Sequence, residues 1–252
     1  MKKTLWKLMS GTVLGACVAA SAAHAAVVLE NTRVIFPSSD REVTVKMKNQ
    51  GDATALVQVW IDNGDPGVSP EKIDVPFTIT PTIFRLDPTK GQSIRVIYTK
   101  EPLSQDKETL FWLNALEVPP KAQDAEEANR LQIAFRTRIK FLFRPKGLKG
   151  DPGDAPAQVK WAVVRGKEGK GYALKGTNPT PYFVNLGEIK VKSNGGAFSA
   201  GSGYIAPGES SEFPIDKLDH QPEAGAEVGY LSINDYGAGV EGKQPLGSQA
   251  AR

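Results

Sequence analysis

The sequence is poor in the residues that most often build a compact catalytic or metal site. It has one cysteine, Cys17, and two histidines, His24 and His220, in 252 residues. Cys17 lies in an apolar N-terminal stretch, so the rest of the chain has neither a disulfide nor a thiol nucleophile. The usual zinc sites need several histidines or cysteines. Because no spacing among the 28 acidic residues selects a catalytic pair either, we predict no enzymatic activity and no cofactor.

An excess of positive charge is also missing once the N-terminal segment is set aside. The full chain has 31 Lys and Arg against 28 Asp and Glu, and three of those lysines, Lys2, Lys3 and Lys7, lie in the first 25 residues, which hold no acid. The remainder is therefore balanced at 28 of each sign. A nucleic-acid-binding protein normally has a net basic field or a basic stripe, so we predict no nucleic-acid partner.

The first 25 residues have the pattern of a secretory signal peptide. Lysines flank an apolar stretch, and Ala23 and Ala25 occupy the small-residue positions of an A-x-A cleavage site. We predict cleavage after Ala25 and export from the cytoplasm. A competing reading stays open, because "LGAC" at 14–17 resembles a lipoprotein processing site with Cys17 as the acylated residue.

The rest of the chain reads as a succession of short strands. Alternating or apolar runs recur with Gly, Pro, Asn and Asp between them, and the first seven strand candidates have the spacing of an immunoglobulin-like sandwich. Long helical patterns are scarce. We predict an all-β protein with a first domain over 26–146, a Gly/Pro-rich linker over 147–157, and a second β-sandwich over 158–246. Trp60, Trp112 and Trp161 fall in separate strand candidates and are predicted to be core.

One alternating run is longer than a sandwich core needs. "LQIAFRTRIKFLF" at 131–143 keeps a period of two over its whole length, and its β-branched and aromatic content favours a strand over a helix. At about 3.3 Å per residue it spans about 43 Å, roughly twice the usual strand. Part of its apolar face should therefore extend beyond the domain's own core. Proteins normally protect such edges, so we predict that this one pairs with another chain.

Several further stretches, in the same order along nearly the whole chain after the signal, resemble one family. They are similar to motifs of the periplasmic pilus chaperones of the chaperone–usher pathway, which are known for binding by strand addition. The motifs are "ENTRVIF", "RLDPTKGQSIRV", "ETLFWLNALEVPPK", "LQIAFRTRIKFLFRP", "NPTPYFVNL" and "YLSINDYG".

The resemblance implies roles for eight residues. Arg33 and Lys140 match the two cations that hold the C-terminal carboxylate of a pilus subunit. A donor group enters the groove of an incomplete subunit, and an ion network joins two domains set at an angle around a cleft. The donor group is Leu131, Ile133 and Phe135, and the network is Glu108, Arg144 and Asp235.

The resemblance also implies partners. These are pilus subunits and an outer-membrane usher, where the N-terminal segment of another subunit would replace the donor strand. The short stretch between 118 and 131 resembles the short-loop branch of the family. Self-association of free copies through the exposed edge stays an open alternative.

Simpler readings and two other classes compete with this one. The two cations could be solvated surface charges, the donor residues ordinary core, and the network three unrelated charges. A structural pilin or adhesin would also be an exported β-sandwich, but its alternating extension should be N-terminal rather than internal. A sugar-binding module or carbohydrate-active enzyme would need an aromatic or carboxylate site, and the tryptophans do not cluster in sequence.

Overall fold

The structure, a computed structural model, describes residues 26–118, 133–166, 169, 171–193, 195–218, 220–223 and 225–246. The predicted signal peptide and Leu131 lie outside the described residues. Strands are the main secondary structure of the described chain, and its helical parts include a 3-10 turn at Pro70–Lys72 and a four-residue helix, α1 (Ala155–Gln158). The predicted all-β fold with two sandwich domains is confirmed.

The described part of the first domain contains nine strands in two sheets. One sheet has the order β1-β3-β7-β5 and the other the order β2-β9-β8-β4-β6. Alternation of apolar and polar residues places one face of each strand in the core between the sheets. The strands are β1 (Val27–Leu29), β2 (Arg33–Pro37), β3 (Glu42–Asn49), β4 (Ala55–Asp62), β5 (Phe77–Thr80), β6 (Ile83–Leu86), β7 (Gly91–Tyr98), β8 (Thr109–Val118) and β9 (Phe135–Arg144).

Eight strands form the second domain as far as its residues are described. Its sheets have the orders β10-β11-β15 and β13-β12-β16-β17, with β14 also paired to β12. They are β10 (Lys160–Arg165), β11 (Tyr172–Thr177), β12 (Val184–Ser193), β13 (Gly196–Ser199), β14 (Gly203–Ile205), β15 (Ser210–Pro214), β16 (Glu227–Ile233) and β17 (Gly239–Pro245). The helix α1 (Ala155–Gln158) falls at the end of the segment predicted as a linker, and its Ala155 is fully buried in the second core.

Two segments that each read as one strand are divided between the sheets. The run 26–36 becomes β1 in one sheet and β2 in the other, and the run 76–86 becomes β5 and β6 in the same way. In the second case Pro81 interrupts the run, and a proline cannot donate a ladder hydrogen bond. The first switch, between β1 and β2, brings β2 alongside β9 in a parallel pair, and this pair forms the candidate site.

An aromatic cluster fills the first core near the second domain. Phe36, Phe77, Phe141 and Phe143 have ring centroids 4.9–6.3 Å apart, and the three outside β5 are fully buried. Such aromatic pairs add about 0.5–1.5 kcal/mol each beyond their area burial. The last third of β9 is therefore firmly anchored in its own domain.

Candidate functional site

The inner face of β9 leaves the core gradually toward the N-terminal end of the strand. Phe143 and Phe141 are fully buried, Ile139 is partly buried against the same core, and Phe135 is 36% exposed. Ile133, two residues before the strand, is 51% exposed. Every second side chain of a strand lies on the same side of the backbone. One apolar face is therefore buried in the core at its C-terminal end and exposed to solvent at its N-terminal end.

One edge of β9 is open over the same residues. The strand pairs with β8 over residues 135–143, but β2 pairs only with residues 140–144. Within the described part of the chain no strand pairs with residues 135–139 on the β2 side. Unpaired backbone N–H and C=O groups at a sheet edge are a template for another strand.

Arg33 and Lys140 stand where the paired edge becomes the open edge. Arg33 is the first residue of β2, and its ladder partner on β9 is Lys140. Neither forms an ion pair with an acid among the described residues. The fold thus places two cations side by side at the point where an added strand would start.

The second domain encloses the Lys140 side chain. Its ammonium donates to Asn185 Oδ1 and lies 4.4 Å from the Tyr204 ring centroid and 5.9 Å from that of Trp112. Burial, and then the positive charge of Arg33, lowers the pKa of Lys140 to about 8. Keeping the Lys140 ammonium charged therefore costs free energy in this environment, and a bound anion would reduce that cost.

Arg33 is buried and only partly satisfied. One guanidinium nitrogen, Nη1, donates to the backbone oxygen of Ile233 at 3.0 Å, while the buried Nε has no hydrogen-bond partner among the described residues. Burial lowers the pKa of Arg33, and the charge of Asp235 opposes that effect. Buried donors are normally paired, so the free Nε adds a second reason to expect an anion at this point.

Arg144 joins two carboxylates across the domain boundary. Its Nε donates to Glu108 Oε1 at 2.6 Å, and its two terminal nitrogens donate to Asp235 at 2.6 and 2.9 Å. Burial lowers the pKa of Arg144, but the hydrogen bonds and charges of the two acids outweigh it and raise the pKa. In the predicted trio, Arg144 thus contacts both Glu108 and Asp235.

Backbone contacts extend this junction. Glu108 Oε2 accepts the Phe183 N–H at 2.7 Å, and the Glu108 N–H donates to Pro181 O at 2.9 Å. The turn between β16 and β17 packs against the first domain at Gly237, where an added Cβ would lie 2.3 Å from Thr32 Oγ1. A side chain at Gly237 would force Thr32 or this turn to shift.

A second ionic group lies on the outer face of β4, β8 and β9, and the sequence analysis missed it. Asp62 is 1% exposed and accepts from Arg138 at 2.6 and 3.1 Å and from Asn114 at 2.8 Å. Burial raises the pKa of Asp62, but these bonds and the Gly64 N–H lower it overall. Arg136 donates to Asn114 Oδ1 at 2.9 Å.

The same face corrects the prediction for two tryptophans. Trp60 and Trp112 are not core: the Arg136 guanidinium lies 4.9 Å from the Trp60 ring centroid, and that of Arg138 lies 4.2 Å from the Trp112 ring centroid. Trp161 is buried in the second core, as predicted. The outer side chains of β9 are therefore held by stacking and by Asp62, which keeps the exposed part of the strand in line with β8.

Two kinds of feature are absent from the described residues. No group of three or more His, Cys, Asp or Glu in that part of the chain is arranged to hold a metal ion. None of its helices is long and apolar enough to cross a membrane.

Comparison with known proteins places this geometry in a family. Residues 26–149 match the family described as pili and flagellar-assembly chaperone, PapD N-terminal domain, and residues 154–244 match the pili assembly chaperone PapD, C-terminal domain. The chain is 41% identical over 234 residues to the probable fimbrial chaperone YadV of Escherichia coli K12, covering 91% of this chain and 94% of that protein. It is 40% identical over 240 residues to the chaperone protein FimB/FhaD of Bordetella pertussis, covering 92% and 94%.

Solved structures agree with the sequence matches. The YadV chaperone superposes with a TM-score of 0.76 at 38% identity, covering 88% of this chain and all of that one. The Salmonella enterica SafB chaperone, solved in complex with the SafA pilin, gives a TM-score of 0.72 at 26% identity, covering 90% of this chain and 99% of the matched chain. The chain belongs to the PapD family of periplasmic pilus-assembly chaperones.

Proposed function

We propose that the chain binds pilus subunits by lending them β9 as a missing strand. The observation that carries the proposal is the coincidence of three features around β9: an apolar face that leaves the core, an edge that is unpaired over the residues before 140, and two cations, Arg33 on β2 and Lys140 on β9, at the junction. Leu131, Ile133 and Phe135 would fill the groove of an incomplete subunit. Burying three such side chains contributes roughly 5–9 kcal/mol before the costs of association.

Arg33 and Lys140 would bind the C-terminal carboxylate of the subunit. A carboxylate can accept from both cations, and such charge-assisted bonds contribute about 1.5–3 kcal/mol each. Arg33 is the first residue of β2, and Lys140 is its partner on β9. A carboxylate bound to both would therefore fix which subunit residue pairs with Ile139, and so the register of the added strand. Crystals of the relative SafB with the SafA pilin support this kind of partner.

The network of Glu108, Arg144 and Asp235 would hold the second domain so that Asn185 and Tyr204 stay beside Lys140. Buried ion pairs of this sort fix geometry more than they add stability. Delivery to an outer-membrane usher would follow, where another subunit's N-terminal segment replaces β9. The exchange needs no nucleotide and no cofactor.

A co-purification experiment tests the anchor. A tagged chaperone is co-expressed with a pilin subunit and recovered from the periplasm, as wild type, Lys140→Ala and Arg33→Ala. Either substitution should leave soluble chaperone and reduce recovered pilin at least tenfold, since one charge-assisted bond is worth about that much. Lys146→Ala, on an exposed lysine just beyond the same strand, is the matched control. Undiminished pilin with both cleft variants would overturn the proposal.

The processing of the N-terminus is the other part of the proposal. Cleavage after Ala25 would give a mature chain that begins at Ala26, whereas lipoprotein processing would leave an acylated Cys17. Intact mass of the protein recovered from cells separates the two, and an acyl mass on Cys17 would contradict cleavage at Ala25.

A further inference from the structure

Glu117 places a carboxylate at the far end of the first core. It is on the inner face of β8, two residues beyond the buried Ala115, and its ladder partner on β9 is Phe135. The core therefore stops at a half-buried carboxylate, next to the residue where the apolar face of β9 becomes exposed. An acid at a core-facing position needs hydrogen-bond partners.

The partners come from the start of the opposite sheet. Glu117 Oε2 accepts the backbone N–H of Ala26 at 3.1 Å and that of Val27 at 3.0 Å. Ala26 is seated on its other side as well, because its carbonyl accepts the Gln50 N–H at 2.7 Å and Gly51 leaves room for its methyl group. A Cβ at Gly51 would lie 2.6 Å from that of Ala26.

Ala26 is also the residue that follows the A-x-A site. Hydrolysis of the Ala25–Ala26 peptide bond takes up one water, leaves a carboxylate on Ala25 and frees an ammonium on Ala26. We propose that Glu117 is the binding site for this new α-ammonium, and that the ion pair closes the end of the first core beneath Phe135. The inference rests on the cleavage position proposed above and is independent of subunit capture.

Processing would strengthen an existing contact rather than create a new one. The amide nitrogen already points at Glu117, and an ammonium in its place makes the bond charge-assisted, which roughly doubles its strength. An α-amino group has a pKa of about 8, so it is charged at neutral pH. The pair would tie β1 of one sheet to β8 of the other at the point where Phe135 must stay available.

Other charged side chains lie on the neighbouring segments. Glu30 and Lys48 are on or beside the β1–β3 pair, Asp52 follows Gly51, and Arg136 adjoins Phe135 on the outer face. Of the acids among these, Asp52 is the competitor for the ammonium, because it adjoins the glycine that contacts Ala26. Asp52→Asn is therefore the matched control for Glu117→Gln.

The test is an NMR titration of the α-amino group through the Ala26 methyl signal. The chain beginning at Ala26 is released from an N-terminal fusion, so that its first residue does not depend on export. We expect the pKa of the α-amino group to be about half a pH unit or more higher in the wild type and in Asp52→Asn than in Glu117→Gln. A chain that keeps Ala25 as its first residue should also lack the raised pKa of the α-amino group. This variant provides the comparison if Glu117→Gln fails to fold.

The same pKa in the wild type, in Glu117→Gln and in the Ala25-extended chain would overturn the inference. So would an elevation that disappears in Asp52→Asn. Pilin capture is measured on the same proteins: an ordinary α-amino pKa with normal capture sinks this inference alone, while loss of capture with an elevated pKa leaves it standing.

Discussion

Arg33 and Lys140 are ladder partners in the parallel pair of β2 and β9, and no pair of that ladder precedes them. Two like charges are thus adjacent in a partly buried place, and the charge of Arg33 contributes to lowering the pKa of Lys140 to about 8. The unfavourable free energy of placing these two charges together arises at the point where an incoming carboxyl terminus would meet the open edge of β9. Several measurable consequences distinguish this arrangement from a pair of surface charges.

Capture of a pilin should depend on pH through Lys140. A bound carboxylate favours the protonated amine, so the pKa of Lys140 is higher in the complex than in the free protein. The association constant should therefore be constant below pH 8 and fall above it, by up to about tenfold per pH unit, until the pKa of the complex is reached. Titration of affinity from pH 6.5 to 9.5 checks this.

Two variants control that experiment. Lys140→Ala should bind weakly with a nearly flat profile over the same range, and Lys146→Ala should keep the wild-type profile. An identical decline in Lys140→Ala would show that another group titrates.

Phe135→Asp should separate binding from folding. The side chain is 36% exposed and adjoins the end of the core, so the unfolding midpoint of the chaperone alone should change little. Loss of one buried Phe from a complex costs about 1.5–3 kcal/mol, equivalent to roughly 10- to 150-fold in affinity, and the new charge adds to it. Val240→Asp, at a 50% exposed position in the second domain, should leave affinity unchanged. Loss of soluble Phe135→Asp protein would instead assign Phe135 to the core.

Asp235→Asn should loosen the connection between the domains. It leaves Arg144 partly buried with Glu108 as its remaining carboxylate, which should cost about 1–3 kcal/mol in the free energy of unfolding. Calorimetry should then show two separate transitions where the wild type shows one. Glu188→Gln removes an exposed ion pair to Lys190 and should cost less than about 1 kcal/mol. A single unchanged transition in Asp235→Asn would contradict the role of the network.

Asp62→Asn tests the outer face of β9. Removing this buried charge leaves Arg138 with a weaker acceptor, and we expect a loss of about 2–4 kcal/mol in the free energy of unfolding. The pKa of Asp62 is lowered in the fold, so its contribution is present above the unfolded pKa of about 4 and is lost as the pH falls through the folded value. Denaturant unfolding at pH 7 and pH 3 measures the difference.

The pair formed by Asp87 and Arg85, with both side chains more than half exposed, provides the comparison for Asp62. Asp87→Asn should have a much smaller effect at both pH values. A wild-type advantage over Asp62→Asn that persists unchanged at pH 3 would show that the charge of Asp62 is not its source.

The periodic residues of β9 allowed its inner face to be predicted from sequence, because alternation is a local property. Its outer face could not be predicted in the same way. The sequence assigned no partner to Arg136 or Arg138, because Asp62 is more than 70 residues away and meets them only in the order β4-β8-β9.

The contacts of Lys140 with Asn185 and Tyr204 could not be predicted from the sequence for a similar reason, since they depend on how the second domain meets the first. The strand switches at 30–32 and 81–82 were missed because each run keeps its apolar character across the change of sheet. The roles of Leu131, Ile133 and Phe135 as donors and of Arg33 and Lys140 as anchor stay predictions.

Hydrogen exchange at residues 135–139 tests the central claim most directly. Amides of these residues that are not bonded to β8 face the open edge, so they should exchange rapidly in the free chaperone and at least about tenfold more slowly in a purified complex with a pilin. Amides of residues 140–143, already paired on both sides, should change little. Unchanged exchange at 135–139 in a complex that demonstrably contains pilin would contradict strand donation by β9.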